Sequence, residues 1–435
     1  MSRFPAGIRM SSLVALSLLA LSTSSRGDDW PQWGGPRRDL VWRETGLVDK
    51  FPKNSEGFLP RVWSAPIGEG YAGPAVAEGK VFVMDRLARE RTERVLCLDA
   101  GIGKLLWKHE YPAEYTISYP AGPRCTPTVD GDRVYAVGAM GHLFCLNAAD
   151  GKVLWRKDYV ADFDAKIPVW GVSSAPLVDG RQLIALVGGA NNALVVAFDK
   201  LTGEELWRSL DDPDVGYCPP VIFEYGGVRQ LIVWHPRAVT AIDPANGAPL
   251  WSIPYKVQAG MTIATPRQVG DRLFVSSFYN GPRMIDVNGR DAALAWKKDA
   301  GNEIDTDGLH SLMCTPWVTE SHIYGIDSYG QLRCLDAQTG ERLWETVAPT
   351  GRDRWWNAFL VPQGDRFFIH NEQGDLIIAK LSPAGYEELD RAKLLEPTRP
   401  VRRRQTIWSH PAFAMKSVFA RNDKEIVRVD LSAGK

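Results

Sequence analysis

One spacing recurs along this chain and constrains its fold more than any other feature. An apolar run ends in an acid or amide, a glycine follows four positions later, and a tryptophan follows four positions after that. The regular copies run from Asp99 to Trp107, Asn147 to Trp155, Asp199 to Trp207, Asp243 to Trp251 and Asp336 to Trp344, and a looser copy runs from Asp286 to Trp296. A period of roughly 44 to 52 residues that contains only strand signals predicts a β-propeller with four-stranded antiparallel blades.

Each copy has the features of a β-hairpin. The acid or amide can bond to the backbone of the turn, and the glycine can adopt the positive φ that such a turn requires. The tryptophan can lie flat between neighbouring blades, where it buries on the order of 150–250 Å². We therefore expect these residues to dock each blade on its neighbour: Asp99, Trp107, Asn147, Trp155, Asp199, Trp207, Asp243, Trp251, Asp336 and Trp344.

The number of blades follows from a second landmark, a proline behind small residues upstream of each hairpin. Pairing each proline with the next tryptophan predicts six blades between about residues 70 and 347, and a degenerate seventh from Trp355 to about Leu395. The eighth is split, because residues 408–432 lack an outer strand that residues 59–63 can supply. Such pairing closes the ring without an open edge. Eight blades is the preferred count, and seven is the alternative.

The repeat resembles the tryptophan-docking motif of the pyrroloquinoline quinone (PQQ)-type propellers, Ala-x-Asp-x-x-Thr-Gly-x-x-x-Trp. The closest matches are Ala241, Asp243, Gly247 and Trp251, and then Asp336, Thr339, Gly340 and Trp344. The resemblance covers residues 59–435. It implies an all-β propeller, but the family includes both PQQ-dependent alcohol dehydrogenases and non-catalytic propellers such as the outer-membrane barrel-assembly lipoprotein, so the fold does not decide the function.

The N-terminal part of the sequence predicts an exported protein. Residues 1–27 have arginines, a short apolar core and small residues, as a signal peptide does, and that core is too short to span a bilayer. Residues 28–58 form a tryptophan-rich leader expected to pack on the outside or end of the propeller, residues 59–435. No cysteine precedes Cys97, so lipid attachment is not expected. We expect a periplasmic or extracellular monomer without a stable membrane span.

Composition argues against a nucleic-acid partner, and cysteine positions argue against disulfides. The net charge is −1 with 24% charged residues, and the basic run 402–404 is interpreted as a solvated loop. The six cysteines occupy two repeat positions where other blades have alanine or serine. Cysteine at such positions is interpreted as a small buried residue with a free thiol.

A ring of residues is predicted around the channel mouth, three positions before each proline or its equivalent. Its members are Tyr71, Arg124, Ser173, Tyr217, Ile263, Met313, Trp356 and Trp408. The candidates for cofactor contact are Arg124, Tyr217, Trp356 and Trp408. Aromatic faces with one cation would suit a sugar, a quinone or a peptide segment. Asp305, Asp307 and His310 match no specific metal motif, and no metal site is predicted.

Two functions remain open. The favoured one is a secreted, non-catalytic module that binds or scaffolds a protein or envelope component at its channel mouth, with no cofactor. The alternative is a PQQ-dependent oxidoreductase, with calcium, acting on an alcohol or sugar; Trp356 or Trp408 and Arg124 would then contact the quinone. The family's dehydrogenases imply adjacent cysteines and a Cys-x-x-Cys-His haem site in some members, and this chain has neither. No catalytic residue is assigned.

Overall fold

The computed structural model describes residue 1, residues 28–212 and residues 214–434. It is a ring of eight four-stranded antiparallel sheets, which confirms the predicted propeller and excludes the seven-bladed alternative. The signal peptide predicted over residues 1–27 lies, apart from Met1, outside the described residues.

Seven blades are continuous in the chain, and each runs from the channel to the rim. Strand β1 (Arg61–Pro66) belongs to the last blade, as described below. Blade 1 contains β2 (Ala75–Ala77), β3 (Lys80–Leu87), β4 (Thr92–Asp99) and β5 (Leu105–Pro112); blade 2 contains β6 (Thr128–Asp130), β7 (Arg133–Val137), β8 (His142–Asn147) and β9 (Val153–Asp158). Blade 3 contains β10 (Leu177–Asp179), β11 (Gln182–Leu186), β12 (Val195–Asp199) and β13 (Glu205–Ser209); blade 4 contains β14 (Val221–Tyr225), β15 (Val228–His235), β16 (Ala238–Ile242) and β17 (Pro249–Pro254).

The second half of the ring follows the same order. Blade 5 contains β18 (Arg267–Val269), β19 (Arg272–Ser277), β20 (Gly281–Asn288) and β21 (Asp291–Lys297); blade 6 contains β22 (Trp317–Val318), β23 (His322–Ile326), β24 (Leu332–Asp336) and β25 (Arg342–Thr346). Blade 7 contains β26 (Ala358–Gln363), β27 (Arg366–Asn371), β28 (Asp375–Ser382) and β29 (Gly385–Lys393). A short hairpin follows, β30 (Arg399–Val401) and β31 (Arg404–Thr406), and then β32 (Ala412–Ala414), β33 (Ser417–Arg421) and β34 (Glu425–Asp430). The α-helix α1 (Tyr159–Phe163) and the 3-10 turns Ala88–Glu90 and Gln258–Gly260 lie in loops.

The two ends of the chain meet in blade 8. Strand β1 pairs antiparallel with β34, with Ser64 opposite Val427 and Ala65 opposite Ile426. The sheet order β1-β34-β33-β32 makes the N-terminal strand the outer edge of a blade whose other strands are C-terminal. The predicted ring closure is therefore confirmed.

Tryptophans join neighbouring blades across the ring. The indole of Trp107 in blade 1 donates from Nε1 to the carbonyl of Ala148 in blade 2, at 3.1 Å. Its ring lies on Gly151, where an added Cβ would be 2.5 Å from the indole. Trp63 of β1 contacts Gly103 of blade 1 in the same way and donates to the Ala100 carbonyl at 2.9 Å. The hairpin glycines that provide the space for a neighbouring tryptophan in this way are Gly103, Gly151, Gly203, Gly247 and Gly340.

All six cysteines are free and buried, as predicted. Burial raises the pKa of the Cys97 thiol to about 12 and that of Cys334 to about 11. Because a protonated thiol is a poor nucleophile, these residues serve packing.

The leader crosses the central channel. Trp30 pairs with Val76 of blade 1, and the Pro31 carbonyl accepts a bond from the Val129 amide of blade 2. Arg38 donates to the carbonyls of Ala175 and Pro176 in blade 3 at 3.0 and 2.9 Å. Farther along, the Trp42 amide bonds to the Pro362 carbonyl of blade 7. The leader therefore packs inside the ring as well as on its end.

Candidate functional site

A cavity of about 230 Å³ lies at the end of the channel where the first strand of each blade begins. We call it the cup. Its upper tier contains one residue from each blade: Tyr71, Arg124, Ser173, Tyr217, Ile263, Met313, Trp355 and Trp408. Seven of these stand in the ring predicted from the spacing to proline. The repeat spacing therefore places side chains from distant parts of the chain around one opening.

The lower tier comes from the residues directly before the prolines. Gly73, Thr126, Ala175, Pro219 and His410 line the cup at this level. Trp33 of the leader lies among them, with its ring centroid 4.8 Å from that of His410 and its Nε1 donating to Thr265 Oγ1 at 3.1 Å. The leader thus forms the floor of the cup.

Trp355 occupies the blade 7 position for which the sequence predicted Trp356. The backbone of Trp355 has a φ of 69°, a left-handed conformation that is uncommon for a bulky residue. The chain turns at this point, so the two neighbouring side chains exchange the expected roles. Trp356 instead packs against Gly330 and Gly351, with the Arg404 guanidinium 5.3 Å from its ring. The assignment of Trp356 to the cup is corrected to Trp355.

Further aromatic residues complete the walls and escaped prediction. Tyr119 lies between Trp355 and Trp408, at centroid distances of 6.3 and 6.1 Å. Trp170 is 5.4 Å from Tyr217. Tyr119 and Trp170 come from loops between blades, outside the repeat, so the spacing carried no signal for them. The walls are consequently more aromatic than the predicted ring alone.

Arg124 is the cation of the cup. Its Nη2 donates to the carbonyls of Ser118 and Tyr119 at 3.1 and 2.6 Å, and its Nη1 donates to the Gly122 carbonyl. The guanidinium lies 5.0 Å from the ring centre of Tyr71. Removal from water lowers its pKa. Within the described part of the chain, no carboxylate forms an ion pair with Arg124, so its direct contacts are backbone carbonyls and a ring face.

A buried carboxylate orients Trp408. Glu372 is 1% exposed, and its Oε2 accepts the indole N–H of Trp408 at 2.8 Å. The same carboxylate accepts from Arg404, which also pairs with Asp353 at 3.0 Å. Burial raises the pKa of Glu372. The prediction of a solvated basic loop is therefore wrong for Arg404, which braces the cup, while Arg403 is exposed.

The residues of the cup do not fit a calcium-bound quinone. Calcium takes six to eight oxygen ligands, mainly from carboxylates and carbonyls. None of the described residues that line the cup is acidic. The one cation among them, Arg124, can balance a single negative charge. A cofactor with several carboxylates would therefore bring charges that the cup does not balance.

The long loop between blades 5 and 6 holds no metal cluster either. The side chain of Asp307 is 97% exposed, whereas His310 is fully buried with its backbone amide donating to Asp327 Oδ1 at 2.6 Å. Asp327 also accepts from Thr306, so these contacts fix the loop on blade 6. Across the described residues, no group of three or more His, Cys, Asp or Glu side chains converges as metal ligands would.

An Asp-His-hydroxyl array occurs away from the cup. Asp212 Oδ2 lies 2.5 Å from Nδ1 of His235, whose Nε2 is 3.3 Å from Thr240 Oγ1. Thr240 in turn contacts Ser252 Oγ at 2.9 Å. Thr240 is only 3% exposed, and burial lowers the pKa of His235. The array fastens the loop between blades 3 and 4 to blade 4 and presents no accessible nucleophile at the histidine.

Comparison with known proteins identifies similar chains. A family model described as outer membrane protein assembly factor BamB matches residues 60–162, 91–346 and 235–435. BamB from Moraxella catarrhalis is similar in structure, with a TM-score of 0.56 and 16% identity over 86% of this chain and 98% of that one. No curated protein matches this chain in sequence.

Quinoprotein enzymes are also structural neighbours. The quinohemoprotein alcohol dehydrogenase of Comamonas testosteroni has a TM-score of 0.65 at 14% identity, over 94% of this chain and 81% of that one. A europium-containing methanol dehydrogenase has a TM-score of 0.59 at 14% identity, over 92% and 89%. At these identities the likeness concerns the fold alone.

Proposed function

Because the chain belongs to the family described as outer membrane protein assembly factor BamB, we propose that it is a non-catalytic binding propeller of the cell envelope. Its cup receives an apolar segment of a protein partner. A protein of this kind acts by presenting a rigid surface, and the eight interlocked blades supply the rigidity.

The observation that carries this proposal is the lining of the cup. Eight of the described residues that line the cup are tryptophan, tyrosine or phenylalanine, and none is acidic. Burial lowers the pKa of His410 to about 3, and its Nδ1 donates to the Pro411 carbonyl at 2.5 Å. The imidazole is therefore neutral and held by the backbone. Large aromatic residues in a concave site are typical of the pockets that receive anchor side chains at protein interfaces.

We further propose that residues 1–27 direct export, so that the propeller acts outside the cytoplasm. In the described part of the chain, no helix has the length and hydropathy needed to cross a bilayer. Export would place the cup where envelope components are accessible.

A photocrosslinking experiment tests the proposed function. Tyr119 lines the cup and is 37% exposed, so Tyr119→p-benzoylphenylalanine places a reactive group at its mouth. Ile102 is 70% exposed on the hairpin between β4 and β5, at the opposite end of the ring, and the same replacement there is the matched control. We expect a discrete polypeptide adduct from position 119 in producing cells, and none of that size from position 102. Equal adducts from both positions, or none from position 119, would contradict a partner at the cup.

A further inference from the structure

Building on the proposed function, we infer that the cup selects apolar groups that carry a carboxylate, and that Arg124 determines this selectivity. The ligand chemistry is a flat or branched apolar body beside one negative charge. The end of a polypeptide chain and a free aromatic acid share this chemistry.

The first reason is that Arg124 has no directly paired carboxylate among the described residues. A buried charge is ordinarily paired, because a cation removed from water loses hydration that dipoles only partly replace. Arg124 has carbonyl partners from Ser118, Tyr119 and Gly122, but no carboxylate partner within the described residues. A guanidinium has five N–H donors, so bonds to a ligand remain available. A carboxylate in the cup would complete the pair.

The second reason is that the nearby buried carboxylate, that of Glu93, already accepts hydrogen bonds from other groups. Glu93 is fully buried and accepts the hydroxyl of Tyr111 at 2.5 Å and that of Tyr115. Its Oε1 also accepts the Ala139 amide at 3.0 Å. These donors hold Glu93 between blades 1 and 2. It contributes to the electrostatic environment of Arg124 without bonding to it.

The third reason is the charge of the rim beside Trp355 and Trp408. Arg352 and Arg403 stand three and five residues before Trp355 and Trp408 in the chain; both are exposed, and neither forms an ion pair within residues 28–212 and 214–434. Asp353, which follows Arg352 in the chain, pairs with Arg404 and lies 3.9 Å from Arg402. Positive charge at the entrance of a low-dielectric cavity attracts anions and accelerates their association. The charge of the rim and that of Arg124 therefore favour the same sign of ligand charge.

A matched pair of probes tests the inference on the purified protein. Indole-3-acetate and indole-3-acetamide have the same ring and nearly the same size, and differ in charge. We expect the acid to bind at least about tenfold more tightly than the amide, as followed by calorimetry, since a tenfold ratio corresponds to about 1.4 kcal/mol. In Arg124→Gln the acid should lose this advantage while the amide still binds, because the apolar walls remain. Arg124→Lys should keep part of the preference, and Arg403→Gln should keep most of it.

The outcomes separate the inference from the function on which it rests. Equal binding of acid and amide to the unaltered protein would overturn the charge selectivity but leave an apolar cup. Failure of both probes to bind would also overturn the inference, whereas the crosslink at Tyr119 would still decide whether a partner contacts the cup. Peptides that end in phenylalanine, with a free or an amidated terminus, distinguish the sources. Tighter binding of the free-ended peptide than of indole-3-acetate identifies a chain terminus, and the reverse order identifies a small acid.

Discussion

The fit between Trp107 and Gly151 at the junction of blades 1 and 2 makes a quantitative prediction for Gly151→Ala. Gly151 has a φ of +73°, and an added Cβ would lie 2.5 and 2.8 Å from two ring carbons of Trp107. The indole cannot retreat easily, because it is 8% exposed and bonded to the Ala148 carbonyl. Gly79 is the matched control, with a φ of +72° and no atom within 4 Å of an added Cβ.

The two substitutions share one cost and differ in another. Placing an alanine in the left-handed region costs about 1–2 kcal/mol at either position. Overpacking against a fixed ring adds about 1–3 kcal/mol at Gly151 alone. We therefore expect Gly79→Ala to lower the free energy of unfolding by about 1–2 kcal/mol, and Gly151→Ala to lower it by about 2–5 kcal/mol.

Urea denaturation followed by circular dichroism measures both decreases in the free energy of unfolding, provided that the dependence of this free energy on urea concentration has the same slope in each variant. A double-mutant cycle with Trp107→Leu isolates the contact, because a smaller side chain leaves room for the new methyl group. Gly151→Ala should then cost no more than Gly79→Ala. If Gly151→Ala and Gly79→Ala lower the free energy of unfolding equally when Trp107 is present, the argument that the tryptophan occupies the space beside Gly151 is refuted.

Three further predictions concern charge, positioning and cofactor. Burial lowers the pKa of His370 to about 4 and that of His410 to about 3, so the unfolded chain binds more protons than the folded one at mildly acidic pH. Stability should therefore fall as the pH drops from about 6.5 towards 4, and His370→Gln should flatten the dependence of Tm on pH. Arg404→Gln should loosen Trp408, shift tryptophan emission and weaken binding of indole-3-acetamide several-fold, while exposed Arg403→Gln should do neither. Titration with PQQ and calcium should produce no saturable quenching or rise in Tm, because no described cup residue is acidic; tight binding would revive the oxidoreductase interpretation.

The ring and most of the cup could be predicted because both repeat with the blade. A proline and the third residue before it mark the start of a blade, so Tyr71 and Tyr217 were placed correctly although they are far apart in sequence. The prediction that Trp356 lines the cup was wrong for a local reason. One left-handed residue, Trp355, reverses the order of neighbouring side chains in a blade that had already lost its motif. Periodicity contains no information about such a turn.

The prediction that Arg404 is solvated was wrong for a different reason. Arg402 and Arg404 both approach Asp353, and only Arg404 also bonds to buried Glu372. These partners are 32 and 51 residues away in the chain. Charge patterning alone assigns the whole run to solvent. Tyr119 and Trp170 were missed because inter-blade loops have no fixed spacing.

The closed shape of the cup depends on residues outside the repeat. Eight blades with small residues at their inner strands surround a channel, and a channel open at both ends exposes a bound group to water on two sides. The leader changes this by placing Trp33 against His410 and Thr265, between the residues that come directly before the prolines. A bound apolar group then loses water on all sides but one, which increases the apolar area buried per ligand. The repeat therefore supplies the walls, but the non-repetitive leader converts the channel into a binding site.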